Sequence, residues 1–394
     1  MRNSFSLLTF FLVCYPVVTA STLVFNVIDY GAVGNGLADD TNAFAKAWEE
    51  TCASSSSPTM KVPSDSTFLV QPLRFIGPCK SRSLTLQIDG NLVAPAHPST
   101  WKCDANLCHQ WLYFHRVDGL TLRGRGTIDG RGHKWWQNKH LNRPTVMEIS
   151  NADNVRVGGG LRFKDSPMMH IVLNGIQSVF VSDVTVEAPA KSPNTDGIHV
   201  QDSTNAQIHN CTIGTGDDCI AIVNGASNVR ISNIVCGPGH GISIGSLGKN
   251  GAEDKVEDVR VSDVVFLGTT NGVRIKTWQG GRGYARDIHF ERFSFHDTIN
   301  PIIIDQFYCD HRHCTTSKSG VEISNVSYRM MVGSSRRERA VVMRCSEAVP
   351  CRDIVVADLH IVTAKDTAAT CDCANVYGRA QGHLLPKISC LEQI

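Results

Sequence analysis

Apolar and polar positions alternate along most of the chain in short runs, each stopped by Gly, Asn, Asp or Pro. The series begins LTLQI (84–88), LTLRG (120–124), VRVGG (155–159), VFVSDVTV (179–186), AQIHNCTI (206–213) and VRISNIVC (229–236). It continues VRVSDVVF (259–266), IHFERFSF (288–295), VEISNVSY (321–328) and IVVADLHI (354–361). A period of two, filled with β-branched residues, predicts strands rather than helices. Starting positions recur every 20 to 40 residues, the interval at which one supersecondary unit stacks on the next. A propeller would need four antiparallel strands per longer unit, and a sandwich would need tight two-residue hairpins; neither pattern is evident. The expected fold is all-β, a right-handed parallel β-helix with one coil per repeat.

One segment departs from the alternation. DDTNAFAKAWEETC (39–52) reads as a helix with Asp40 or Thr41 as N-cap and Phe44, Ala47 and Trp48 on one face. A short helix there would cover the open N-terminal end of the coil stack, whose strand edges would otherwise invite aggregation. At the far end, CDCANVYG (371–378) is expected to be closed down by a disulfide.

Composition adds what the pattern leaves open. Of 394 residues 42% are hydrophobic, enough for a large core, and 38 basic against 37 acidic side chains give a net charge of +1. No global field therefore marks a nucleic-acid or membrane-surface partner, and any preference for an anion must be local. The first twenty residues, MRNSFSLLTFFLVCYPVVTA, place Arg2 before an apolar run broken by Pro16, with Val18 and Ala20 before a plausible cut. This predicts a secretory signal over 1–20 and a mature β-helix domain over 21–394. Removing Cys14 leaves 14 of the 15 cysteines, an even number that favours disulfides on an exported chain. Local pairs suggest themselves: Cys103 with Cys108, Cys309 with Cys314, and Cys345 with Cys351. The cluster CDHRHC (309–314) has metal-ligating residue types, but an oxidising compartment argues for a disulfide and no metal. Asn210 in NCT and Asn325 in NVS are glycosylation acceptors.

The chemistry lies in the central coils. A second strand follows the first in each repeat, entered by TDGIHV, DDCIAI, HGISIG, NGVRIK and NPIII. Asp196, Asp218 and His240 each stand two residues before the first apolar residue of that strand, spaced by 22 and 22 residues. They should form a column at about 4.8 Å per coil. Arg274 and Lys276, two apart, project from the same face one coil further on. Each motif alone has a plainer explanation, since Asx turns account for NTDG and GTGDD and a solvated strand accounts for RIK. Their common register does not. Carboxylates this close cannot all ionise easily, so one should stay protonated beside an ionised neighbour, which equips the site to split a glycosidic bond. Two cations beside them suit a sugar that carries its own carboxylate.

The stretches SPNTDGIHV (192–200), GTGDDCIAI (214–222), CGPGHGISIGSLG (236–248) and GVRIKTWQGG (272–281) together resemble the plant polygalacturonases of glycoside hydrolase family 28. FNVIDYGAVGNGLADDTNAF (25–44) and RGRGTIDGRGHKWW (123–136) extend the likeness over nearly the whole mature chain. The resemblance implies inverting hydrolysis of α-1,4 bonds in polygalacturonate, endo-acting or alternatively exo-acting, without a cofactor, by a secreted monomer of the plant cell wall. It implies Asp217 as general acid, Asp196 and Asp218 activating water, and His240 tuning the acid. Asn194, Arg274, Lys276 and Tyr308 would bind the sugar. Phe307 departs from the family pattern, in which Asn is usual. Carboxyls one coil apart also fall near the ~5 Å tied to retention rather than the ~6.5–9.5 Å of many inverting enzymes. Rival readings are a calcium-dependent pectate lyase and a non-catalytic pectin-binding protein. Trp135 and Trp136 fit a sugar platform or a buried turn, and RRER (336–339) reads as a solvated loop unless the fold carries it to the cleft.

Overall fold

A computed structural model describes residues 23–103, 109–138, 140–310 and 317–393. The expected signal segment 1–20 lies outside these residues. The strands pair in parallel into two large sheets, of eleven and twenty strands among the described residues. The larger contributes two strands, or one long bent strand, to each coil. The expected parallel β-helix is the observed one.

The smaller sheet carries one strand per coil and can be followed by register. Ile198 pairs with Ile220, Ile220 with Ile242, Ile242 with Val273 and Val273 with Ile302. All five are buried, as are Val200, Ile222, Ile244, Ile275 and Ile304 two positions on. Each such side chain contributes about 1.5–3 kcal/mol by leaving water, so slipping one coil by one residue would expose a whole column. Phenylalanines extend this stacking to the other sheet: Phe266 lies over Phe295 with ring centroids 5.2 Å apart.

Several runs that read as single strands hold a corner. Asn210, Asn233 and Asp263 adopt positive φ inside their long strands, where pairing skips them and resumes on the far side, and Asp183 does so between two strands. Asn and Asp tolerate this conformation because their short polar groups bond locally. Asn233 Nδ2 donates to Asn210 Oδ1 at 3.3 Å, so the corners themselves stack. Both candidate glycosylation acceptors, Asn210 and Asn325, occupy exposed corners, and Asn325 Nδ2 donates to Asp287 Oδ1 at 2.6 Å.

The helix spans Thr41–Ala53 and buries Phe44, Ala47 and Trp48 as expected. Phe44 meets Phe68 edge-on, and Trp48 meets Phe75. The cap differs from expectation: Asp40 holds the N-cap position, but its carboxylate accepts from the Val33 and Gly34 N–H groups of the preceding loop. Thr41 Oγ1 accepts instead from the Gln71 N–H. At the other end Cys373 is bonded to Cys390, closing the tail.

Cys345 and Cys351 are joined as the spacing suggests, and Cys52–Cys79 and Cys219–Cys236 are added. Cys103 and Cys309 are disulfide-bonded. Cys108 and residues 311–314 of the candidate metal cluster lie outside the described residues, while Asp310 of that cluster pairs with Lys249 at 2.9 Å. The even count favours disulfides, and the described cysteines form them except Cys211 and Cys371, which are free thiols. Cys211 fills an interior position in its coil, and burial pushes its thiol up to about 11.

Candidate active site

The turn before each strand of the smaller sheet opens on the outer face, and there the carboxylates gather. Asp218 is 2% exposed. One of its oxygens accepts from Ser243 Oγ at 2.7 Å and Arg274 Nη2 at 2.8 Å, and the other accepts from Lys276 Nζ at 2.9 Å. Burial works to raise this carboxyl, but Lys276 and Arg274 outweigh it and hold it down to about 2. Asp218 is therefore an anion at any working pH.

Asp196 has the opposite balance. Burial pushes its carboxyl above the usual range, against a hydrogen bond from His199 that lowers it, while the charges of Asp217 and Asp218 raise it further. His199 Nδ1 stands 3.1 Å from Asp196 Oδ2. Beneath it, His170 is fully buried and contacts the Asp196 carbonyl through Nδ1 at 3.0 Å, while Nε2 accepts the Ser166 N–H. Burial pulls this imidazole down to about 4, so it is neutral and serves as a fixed support for the Asp196 turn.

Asp217 stands one residue outside the column that the spacing predicts. It is also the most open of the three carboxyls, with its side chain 18% exposed. His240 Nδ1 lies 3.1 Å from Asp217 Oδ1, and the His240 N–H donates to the Asp217 carbonyl at 2.7 Å. The bond with Asp217 raises the imidazole above its ordinary value despite partial burial. Asp196, Asp218 and His240 do share one register, but the imidazole turns to Asp217 rather than to Asp218.

The Cys219–Cys236 bond explains how two loops are held together. Cys219 directly follows Asp218, and Cys236 leads into GPGHG with its imidazole, so one covalent link clamps both turns. Gly241, at φ +85°, completes the approach: a Cβ there would stand 2.2 Å from the Asn271 and Gly272 carbonyl oxygens.

On the next coils the rim is cationic and aromatic. Lys276 Nζ lies 5.4 Å from the Tyr308 ring centre, and Tyr308 meets Trp278 edge-on at 5.4 Å. Arg143 was not legible in the sequence. It donates to Asn194 Oδ1 at 2.6 Å and to the carbonyls of Pro167 and Pro193, bracing the turn that carries Asp196. Its position 51 residues from Asn194 leaves no local signal. Trp135 is no platform: it is 4% exposed and packs edge-on against Trp101.

Asp217, Asp218 and His240 present donor atoms within 4.8 Å of one another. As a cation site the set is poor, because Arg274 and Lys276 already occupy both Asp218 oxygens and would repel a divalent ion. That donor chemistry disfavours a calcium-dependent elimination. What the arrangement offers is a partly exposed carboxyl against an imidazole, a buried carboxyl of raised pKa, a permanent carboxylate, and cations on the rim.

Residues 52–383 match the family described as Glycosyl hydrolases family 28. A probable polygalacturonase of Arabidopsis thaliana is 45% identical over 100% of this chain and 86% of its own length. A polygalacturonase of Prunus persica is 42% identical over 99% of each. Among solved structures, an endo-xylogalacturonan hydrolase from Aspergillus tubingensis shares the fold with a TM-score of 0.77 and 22% identity, over 94% of this chain and 98% of that one.

Proposed function

The chain belongs to the Glycosyl hydrolases family 28, and we propose on that premise that it hydrolyses the α-1,4-galacturonosyl bonds of polygalacturonate in the plant cell wall. The observation that carries the reading is the division of labour among three adjacent carboxyls. Asp217, partly exposed and touching His240, donates a proton to the glycosidic oxygen as that bond breaks. Water attacks the anomeric carbon from the opposite side, and its proton passes to the Asp196–Asp218 pair. Asp218, held ionised, orients the water, while Asp196, with its raised pKa, is the better proton acceptor once it is ionised. Transfer of that proton back through solvent to Asp217 completes the cycle. The water-mediated step inverts the anomeric centre.

Arg274 keeps Nη1 uncommitted among the described residues while Nε and Nη2 hold Ser243 and Asp218. That remaining edge suits the carboxylate of a bound galacturonate, with Tyr308 supplying a face for the ring and Asn194 a polar contact. The test is the product profile of the purified protein on demethylesterified polygalacturonate with a chelator present. Saturated products support hydrolysis, mixed lengths support endo attack, and monomer alone supports exo attack. Unsaturated products, or no reaction until calcium is restored, refute the proposal.

A further inference from the structure

The row of outward residues on the smaller sheet does not stop at the carboxylates. Ser243 pairs with Arg274, Arg274 with Ile303, Ile303 with Val342 and Val342 with Asp372, one coil at a time. A cleft of about 560 Å³ opens where this row continues, lined by Asn300, Ile303, Arg337, Arg339, Val342 and Arg344, among others. The RRER segment, which the sequence leaves as a solvated loop, is thus carried onto the same face as the candidate active site. Ile303 is the neighbour of Arg274 in register, so the cleft begins about 4.8 Å, one coil, beyond it.

The two regions share a wall. Asn300 Nδ2 donates to Asn271 Oδ1 at 3.0 Å, and Asn271 Nδ2 donates to the His240 carbonyl at 3.1 Å. Three arginines against Glu338 leave the lining of the cleft net positive. Arg339 and Arg344 both bond Asp372 Oδ2, at 3.0 and 2.8 Å, so two guanidinium groups share one carboxylate oxygen. Arg337 is exposed and forms no ion pair among the described residues. The neighbouring Asp305 carboxyl, raised by burial, accepts the Phe307 N–H at 3.0 Å.

We infer that Arg337, Arg339 and Arg344 form an accessory subsite for the carboxylate of an acidic sugar unit beyond the one held at Arg274. The inference rests on the proposed polygalacturonate reading. Guanidinium groups pair with planar carboxylates through two parallel hydrogen bonds, and the flat floor of Ile303 and Val342 can take the apolar face of a pyranose ring. Such a subsite engages only chains long enough to pass Arg274 and continue along the sheet. It also favours an ionised galacturonate over its methyl ester there.

The experiment compares wild type, R337A and R337K on long demethylesterified polygalacturonate, on trigalacturonate and on methyl-esterified polymer, with thermal melting as a folding control. R337A should raise KM on the long acidic polymer about three- to tenfold with kcat unchanged, and R337K should recover part of the loss. Its effect should shrink at high salt and on the esterified polymer. An unchanged KM for R337A on the long polymer, with wild-type activity intact, overturns the subsite. So does an equal change on trigalacturonate and on polymer. A wild type that cannot cleave polygalacturonate at all instead overturns the proposed function on which the inference rests.

Discussion

Lys276→Met tests whether the two cations on Asp218 hold the site together. Methionine keeps the length and packing of the lysine stem but removes the ammonium 2.9 Å from a carboxylate that is 2% exposed. Leaving a buried charge short of a partner costs about 3–5 kcal/mol when nothing replaces it. Arg274 remains 2.8 Å away, which places the expected loss below that range, at about 2–3 kcal/mol. The depression of the Asp218 carboxyl from 3.8 to about 2 is worth a similar amount, about 2 kcal/mol. The sign follows from its direction. A carboxyl lowered in the folded state contributes its stability in full above its unfolded value, and loses it as pH falls through the folded value. Wild type should therefore keep this contribution down to about pH 4 and lose it toward about pH 2. In Lys276→Met, burial moves Asp218 upward and the loss begins at higher pH. The assay is the urea midpoint of both proteins, disulfides intact, near neutral pH and at about pH 4. Adding Asp218→Asn to Lys276→Met should restore part of the stability, since a neutral amide needs no cation, but no activity. A Lys276→Met protein within about 0.5 kcal/mol of wild type near neutral pH would refute the argument.

Asp217→Asn should lower kcat by about 10²–10⁴ while retaining binding of oligogalacturonate, measured by calorimetry beside initial rates. Activity should peak in mild acid. The bond with Asp217 raises His240 above its ordinary value, so the imidazole keeps its proton to higher pH than a free one and the alkaline limb should shift in His240→Gln; identical pH–rate profiles would count against the role of the imidazole. Gly241→Ala should displace the Asn271 and Gly272 carbonyls it would meet at 2.2 Å, costing activity more than fold, as read from kcat against melting temperature. Replacing both Cys219 and Cys236 by Ala, which opens a 17-residue link, should cost about 3 kcal/mol and most activity because the turns carrying Asp218 and His240 loosen together.

Alternation of β-branched residues between turn formers is a local property, and it determined the strands, their inward faces and the coil repeat. The equal spacing of Asp196, Asp218 and His240 was enough to put them in one register, because parallel coils stack like on like. The ordered motifs of the central coils carried the family likeness for the same reason, being short and contiguous. Partner choice was decided elsewhere. His240 turns to Asp217, Asp218 is neutralised by a lysine 58 residues away, and Arg143 braces a turn 51 residues away. Such contacts depend on where each turn leaves the sheet and on which side chain has room, and no short window of residues records either. Corners inside runs such as VRISNIVC were hidden too, because an Asn at positive φ leaves the apolar pattern intact and the ladder resumes beyond it. Asp40 shows the converse: its type and position suit a helix cap, yet two loop N–H groups compete for the same carboxylate, and the tertiary contact wins. The sequence determined which side chains would face outward on each coil; only folding determined which of those charges would meet, since burial and distance set the energy of each encounter.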